Sequence, residues 1–275
     1  MNKLLDLAAA VAMVNDGDTV AFGGNVLYRS PIAAVKELIR QDKKDLHLVK
    51  TAIAYEVDLL CAAGAASRVT AGFVGYEGEF GLCRWYRKGV ESATVRADEN
   101  ACYSVITALR GAAYGVPFLP IRGMLGSDLL DAVGFRKVTC PYTGEELVAI
   151  RAIAPDVAFL HVQKADEMGN GCIIGPTYED TVIARAAKKL VLTAEEIVPS
   201  SYFSEDPNRA SIPAVLTTAV VKAPGGAKPC AVSGCYDMDR EEGEWGLSDY
   251  VEKGIEVLDN DTGFFMMGEG GKIDW

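Results

Sequence analysis

DGDTVAFGGNVLYRSP, residues 16–31, sets a turn dipeptide, a short apolar strand, a glycine pair and a proline-opened helix in succession. Asp16-Gly17 is a turn signal, and Thr19-Val20-Ala21-Phe22 is a β-branched and apolar run of buried-strand length. The chain must leave that strand at Gly23-Gly24. Two residues without Cβ permit positive φ and let a ligand atom approach peptide N–H groups. Ser30-Pro31 reads as an N-cap followed by proline at the first helical position. The helix then starts with its positive end near the glycine turn. A βα corner of this kind either binds a ligand oxygen or simply turns the chain.

Outward from this stretch, predicted strands alternate with helices. Helix 3–14 precedes the strand 19–22, and helix 31–40, strand 46–50, helix 57–62 and strand 68–71 follow it. A helix over 99–113 comes next, then strands over 137–140, 147–150 and 157–161, helix 179–188 and strand 190–193. A tail helix is predicted over 248–257. The alternation implies parallel βαβ units, an open, mostly parallel α/β sheet with helices on both faces. No linker or internal repeat interrupts it, so the reading is one domain, 1–275. Between the strand at 68–71 and the next helix, Gly72–Gly81 carries four glycines with Phe73, Tyr76, Glu77, Glu79 and Phe80, a composition suited to a ligand-facing loop.

Composition narrows the function classes. No apolar run reaches the roughly eighteen residues of a membrane span, and the N-terminus lacks a signal-peptide pattern, so a cytoplasmic protein is expected. Seven cysteines are scattered without paired C-x-x-C spacing, and two histidines complete a poor ligand set. No metal site is expected. A net charge of −11 argues against nucleic acid as the main partner.

The opening stretch resembles the signature of family I coenzyme A transferases: an acidic residue with Gly, two spacers, three apolar residues, Gly-Gly-Phe, then Gly-x-Pro. Asp16-Gly17, Val20-Ala21-Phe22, Gly23-Gly24 and Pro31 match, whereas Asn25 replaces the usual Phe and Arg29 the usual Gly. Arg at that place is similar to the alpha subunit of the glutaconate-type enzymes. Arg84-Trp85-Tyr86-Arg87-Lys88-Gly89, Gly115–Pro120 with Gly126-Ser127, Asp156-Val157-Ala158 with His161 and Asp166, Gly169-Asn170-Gly171, and Ala223-Pro224-Gly225-Gly226-Ala227 follow the same order. The resemblance covers the chain to about residue 240. It implies the CoA-transferase (NagB/RpiA-like) fold, coenzyme A as acyl carrier and substrate, and acyl-CoA and carboxylic acid substrates.

Members of that family use a glutamate nucleophile, which in two-chain enzymes belongs to the B (beta) subunit in a Glu-Asn-Gly setting. Glu-Asn-Gly is absent from this chain. The nearest text, Glu99-Asn100-Ala101, sits at a predicted helix start. The resemblance therefore implies that this chain is the A (alpha) subunit of a hetero-oligomer, with a B subunit of similar fold and a shared active site. The acidic net charge fits a CoA phosphate pocket built largely by that other chain.

This chain's expected contribution is a set of binding groups. Gly23, Gly24 and Asn25 are candidate donors to a thioester oxygen or anhydride. Tyr76, Glu77 and Ser127 are candidates for acyl recognition, and Arg29 or Arg122 for a bidentate grip on a substrate carboxylate. Arg29 alternatively pairs with an acidic neighbour. Glu99, beside Asp98, is either an acid–base group or a carboxylate favouring a helix N-terminus. Related steroid-ring CoA hydrolases use an acidic residue of their alpha subunit, and Glu99 stands at about that place. Two alternatives to the transferase follow: a CoA-thioester ring hydrolase acting through Glu99, and a non-catalytic structural or nucleotide-binding subunit. His161 and His47 read as hydrogen-bonded core residues.

Overall fold

The computed structural model describes residues 2–76 and 81–232. Contacts divide the chain after Val232, and the second unit, Ser233–Trp275, lies outside the described residues, as do Glu77 and the predicted tail helix. The single-domain expectation for 1–275 thus extends past what is described.

The strands are β1 (Leu4–Leu5), β2 (Thr19–Phe22), β3 (Leu46–Val49), β4 (Ala52–Ile53), β5 (Ala66–Ala71), β6 (Phe73–Val74), β7 (Arg96–Glu99), β8 (Phe118–Ile121), β9 (Arg136–Thr139), β10 (Glu146–Arg151), β11 (Val157–Ala165), β12 (Gly171–Cys172), β13 (Lys189–Ile197) and β14 (Ala219–Lys222). The main sheet runs β1-β14-β13-β11-β2-β3-β5-β7, with β12 paired to β11. Every pairing in it is parallel except β11 with β12. A smaller antiparallel sheet, β8-β10-β9, and the parallel pair β4-β6 stand beside it.

Helices cover both faces because the central strands alternate between two cores. The helices are α1 (Leu7–Val11), α2 (Ile32–Arg40), α3 (Tyr55–Ala62), α4 (Arg84–Glu91), α5 (Cys102–Ala113), α6 (Leu129–Val133), α7 (Asp180–Ala186) and α8 (Ser201–Ser204). Val20, Phe22, Leu46, Leu48, Val157 and Phe159 pack with Val11 of α1, Val35 and Leu38 of α2, and Val57 and Leu60 of α3. Ala21, Val49, Ala158, Leu160 and Val162 face the other way, onto Val105 and Leu109 of α5 and Ile183 and Ala184 of α7. Adjacent residues of one strand thus serve opposite cores, which fixes the register. Among the described residues, no helix is long and apolar enough to cross a membrane.

Three expectations change. The helix over 3–14 is instead β1 followed by α1, because Leu4 and Leu5 pair with Val220 and Val221. The helix at 99–113 starts at Cys102, since Arg96–Glu99 forms the edge strand β7 against Arg68–Ala71. Ser30 does not cap α2: the N-cap position falls on Pro31 without a side-chain bond, and the Ser30 hydroxyl accepts from Lys50 and reaches Glu56 Oε1 at 3.1 Å.

Candidate active site

In an open parallel sheet the ligand crevice lies beyond the carboxyl ends of the strands, where the connecting loops part. At that edge β2 runs into Gly23-Gly24-Asn25, β3 into Lys50-Thr51, β5 into Gly72 and β7 out through Glu99. Backbone bonds tie these loops together: the Val26 amide donates to the Ala52 carbonyl at 3.2 Å and the Gly72 amide to the Thr51 carbonyl at 2.9 Å. A Cβ at Gly72 would collide with the backbone of Ala101 and Cys102. Glycine there lets the start of α5 close onto the β5 loop, with Cys102 Sγ 3.8 Å from the Thr51 carbonyl oxygen.

The glycine turn is held from within the protein. The Gly23 amide donates to the Phe159 carbonyl at 2.9 Å, the Gly24 amide to Asp180 Oδ1 at 2.7 Å, and the Asn25 amide to the Tyr28 carbonyl at 2.9 Å. This corrects the expectation that the backbone donors of Gly23 and Gly24 meet a substrate oxygen, for both are spent on protein acceptors. For Arg29 the structure shows the other of its two expected roles, pairing with an acidic neighbour. Its side chain is 2% exposed, pairs with Asp180 Oδ2 at 2.6 Å, and donates to the carbonyls of His161 and Pro176. A guanidinium so committed grips no substrate carboxylate.

What stays unpaired is the side-chain oxygen of Asn25. The residue is 8% exposed, and its Oδ1 has no hydrogen-bond partner among the described residues; neither has the hydroxyl of Thr51, which is 7% exposed. Beside them Glu179, 5% exposed, accepts from the Thr51 amide at 3.3 Å. Burial pushes the Glu179 carboxyl above the ordinary carboxylate range; the Lys50 ammonium opposes that and the Asp180 carboxylate reinforces it. Lys50 is itself fully buried and bound to Glu56 Oε1 at 2.5 Å. Arg29 and Lys50, buried cations at this edge, already have anionic partners.

The remaining candidates are dispersed. Tyr76 donates its hydroxyl to Asp58 Oδ2 at 3.0 Å, and burial next to that carboxylate raises its pKa. Glu77 lies outside the described residues. Arg122 directly follows β8 of the small antiparallel sheet, where Glu145 takes it bidentately at 2.8 and 2.9 Å; it is corrected from substrate clamp to surface ion pair. Ser127 turns inward to its own loop and accepts from the Leu129 amide at 3.2 Å. Glu99 ends β7 at the same edge as Asn25, is exposed, and pairs with no cation among the described residues. Its neighbour Asp98 is bound by Arg68, Arg96 and Thr70. His161 is buried between Thr193 at 2.9 Å and Glu195 at 2.8 Å.

Residues 4–223 match the family model of coenzyme A transferases. The chain belongs to the coenzyme A transferase family. It is 38% identical over 244 residues to the A (alpha) chain of the 3-oxoadipate CoA-transferase of Pseudomonas knackmussii, covering 87% of this chain and 85% of that one. It is 32% identical over 250 residues to the cholesterol ring-cleaving hydrolase IpdA subunit of Mycobacterium tuberculosis H37Rv, covering 87% and 85%. The crystal structure of glutaconate coenzyme A-transferase from Acidaminococcus fermentans superposes with a TM-score of 0.81 at 29% identity, covering 93% and 88%. Against an uncharacterised Archaeoglobus fulgidus protein, 35% identical, the chain spans 59% of the relative's length.

Sequence reasoning missed three residues of this candidate site: Thr51, Glu179 and Asp180. Thr51 carries a usable signal, since Lys50-Thr51 is the first polar pair after a buried parallel strand, the same place Gly23 holds after β2. Glu179 and Asp180 carry none. A Glu-Asp pair opening a helix is ordinary helix chemistry, and only the fold brings it back to a turn more than 150 residues earlier.

Proposed function

We propose that this chain is the alpha subunit of a two-chain enzyme that moves CoA from an acyl-CoA to a carboxylic acid. The observation that carries the reading is its likeness, over most of both chains, to the corresponding subunit of 3-oxoadipate CoA-transferase. In the family's chemistry a partner glutamate carboxylate attacks the thioester carbonyl, giving an acyl-glutamyl anhydride and CoA thiolate. The thiolate then attacks the glutamyl carbonyl, releasing the original acid and leaving glutamyl-CoA. The acceptor acid reverses both steps. The acid released from one acyl group and the acid accepted balance each other, so no water or external acid is consumed.

The Glu-Asn-Gly setting of the nucleophile is absent from this sequence, and the edge of its sheet supplies binding groups instead: Asn25, Thr51 and Glu179. The interface with a B subunit of similar fold completes the site. The test is co-expression with the neighbouring chain, incubation with acyl-CoA, and borohydride or hydroxylamine trapping. CoA-dependent modification of one glutamate on the beta subunit supports the transferase; an unmodified beta subunit with free CoA released removes it.

A second reading rests on a specific observation. Glu99 is exposed at the same edge with no ion-pair partner among the described residues, and the hydrolase IpdA subunit is 32% identical to this chain. A ring-opening hydrolase would use Glu99 to activate water, and would release no trapped glutamyl-CoA.

A further inference from the structure

Glu179 opens α7 with a buried carboxyl beside that of Asp180. Asp180, the next residue, anchors the glycine turn and Arg29. Glu179 faces the other way, toward the end of β3, where it meets the Thr51 amide. Asn25 and Thr51 lie at the same edge, both more than nine-tenths buried, and the Asn25 Oδ1 and the Thr51 hydroxyl have no hydrogen-bond partner among the described residues. The backbone bond from Val26 to Ala52 sets these two residues side by side at the ends of adjacent strands. Buried polar atoms are almost always satisfied, and leaving one unpaired is costly. Two in one place, beside an acid, describe a subsite suited to a ligand oxygen.

We propose that Glu179, Asn25 and Thr51 form a hydrogen-bonding subsite for an oxygen of the acyl group, in which Glu179 acts as a neutral donor. The inference rests on the functional reading above. The charged groups facing Glu179 are already matched, Lys50 by Glu56 and Asp180 by Arg29. A protonated carboxyl in a dry site donates strongly to a carbonyl or carboxylate oxygen, and once ionised it repels that oxygen. Two oxygens share this chemistry, the thioester carbonyl and a carboxylate at the far end of the acyl chain.

The test measures binding by calorimetry between pH 6 and 9, with the full chain co-purified with its B subunit. Three unreactive probes are used: dethia-pentanoyl-CoA, which keeps the acyl oxygen; S-(4-carboxybutyl)-CoA, which has only the distal carboxylate; and S-pentyl-CoA, which has neither. The expected result is that one oxygen-bearing probe binds about tenfold tighter than S-pentyl-CoA at pH 6, the worth of one good hydrogen bond to a charged or strongly polar group. Which probe wins assigns the oxygen. That advantage fades as pH rises in the wild type, persists at all pH values in Glu179→Gln, which still donates, and vanishes in Glu179→Leu and in Thr51→Val. Equal binding of all three probes overturns the proposal. So does a Glu179→Gln profile that titrates like the wild type, or a Glu179→Gln variant as defective as Glu179→Leu. Thr51→Val keeps the test decisive if Glu179→Leu does not fold. Failure of every CoA probe to bind defeats the transferase reading itself, a different outcome from equal binding.

Discussion

Asp180 holds Gly24 through its carboxylate, Oδ1 accepting from the glycine amide at 2.7 Å while Oδ2 takes Arg29 at 2.6 Å. One buried side chain thus fixes both the turn after β2 and the cation five residues further on. Removing one partner of a buried pair strands the other, at about 3–5 kcal/mol. Asp180→Asn keeps the shape and loses the charge, so the unfolding free energy from urea titration should fall by that amount at an unchanged slope. A loss under about 1 kcal/mol would mean that water reaches Arg29.

Gly24 carries a second constraint. Its φ is +72°, and a Cβ there would sit against the Tyr28 carbonyl oxygen and the Arg29 backbone. Backbone atoms of a tight turn do not move aside cheaply. Gly24→Ala should cost about 3 kcal/mol or more. Gly17→Ala supplies the control, for Gly17 has φ +82° but open space around it. It should cost about 1 kcal/mol, the left-handed conformation alone. Equal melting temperatures for the two variants would contradict the packing at Gly24.

His47 gives a pH signature. Burial, with Arg68 next in weight, lowers its pKa from 6.5 to about 4, and Thr70 bonds its Nε2 at 2.8 Å. The folded value lies below the unfolded one, so the fold favours the neutral ring. This contribution is complete above pH 6.5 and is lost as pH falls from there toward 4. The upper limit is about 3 kcal/mol. Unfolding free energies measured across that window should decline in the wild type and flatten in His47→Gln. Acid loss through Asp98, whose pKa is depressed below 3.8 by Thr70 and Arg68 against the cost of burial, belongs to a lower window.

Much of this architecture is legible where a strand is buried on both faces. Thr19–Phe22 is readable residue for residue, and Val157–His161 is recognisable but short, because the strand continues through the mixed run Val162–Ala165. Composition hides β7: Arg96, Ala97, Asp98 and Glu99 contain no apolar stripe, and ion pairs from Arg68 and Arg96 to Asp98 stabilise an edge strand there. Distance hides β1, since the partners of Leu4 and Leu5 lie more than 200 residues away. The site divides in the same way. Asn25 stands out from the family signature, so its importance is visible. Thr51 is readable as the polar exit of a buried strand, whereas Glu179 acquires meaning only when α7 is folded back over the ends of β2 and β3.

Glu99 separates the two enzymatic readings by its isolation. It has no ion-pair partner among the described residues, while Asp98 beside it has two arginines. An exposed carboxylate without such a partner contributes little to stability, so Glu99→Gln should leave the unfolding free energy within about 0.5 kcal/mol of the wild type. Activity is then a clean readout. If the enzyme is a transferase, its nucleophile is on the beta subunit and Glu99→Gln retains CoA exchange within a few-fold. If it is a hydrolase, removal of an acid–base group lowers turnover by about 10²–10⁴ while the fold stays intact. Assaying CoA exchange and CoA release side by side on the same preparation distinguishes the cases: exchange that survives the substitution assigns the chemistry to the partner glutamate, and release that collapses assigns it to Glu99.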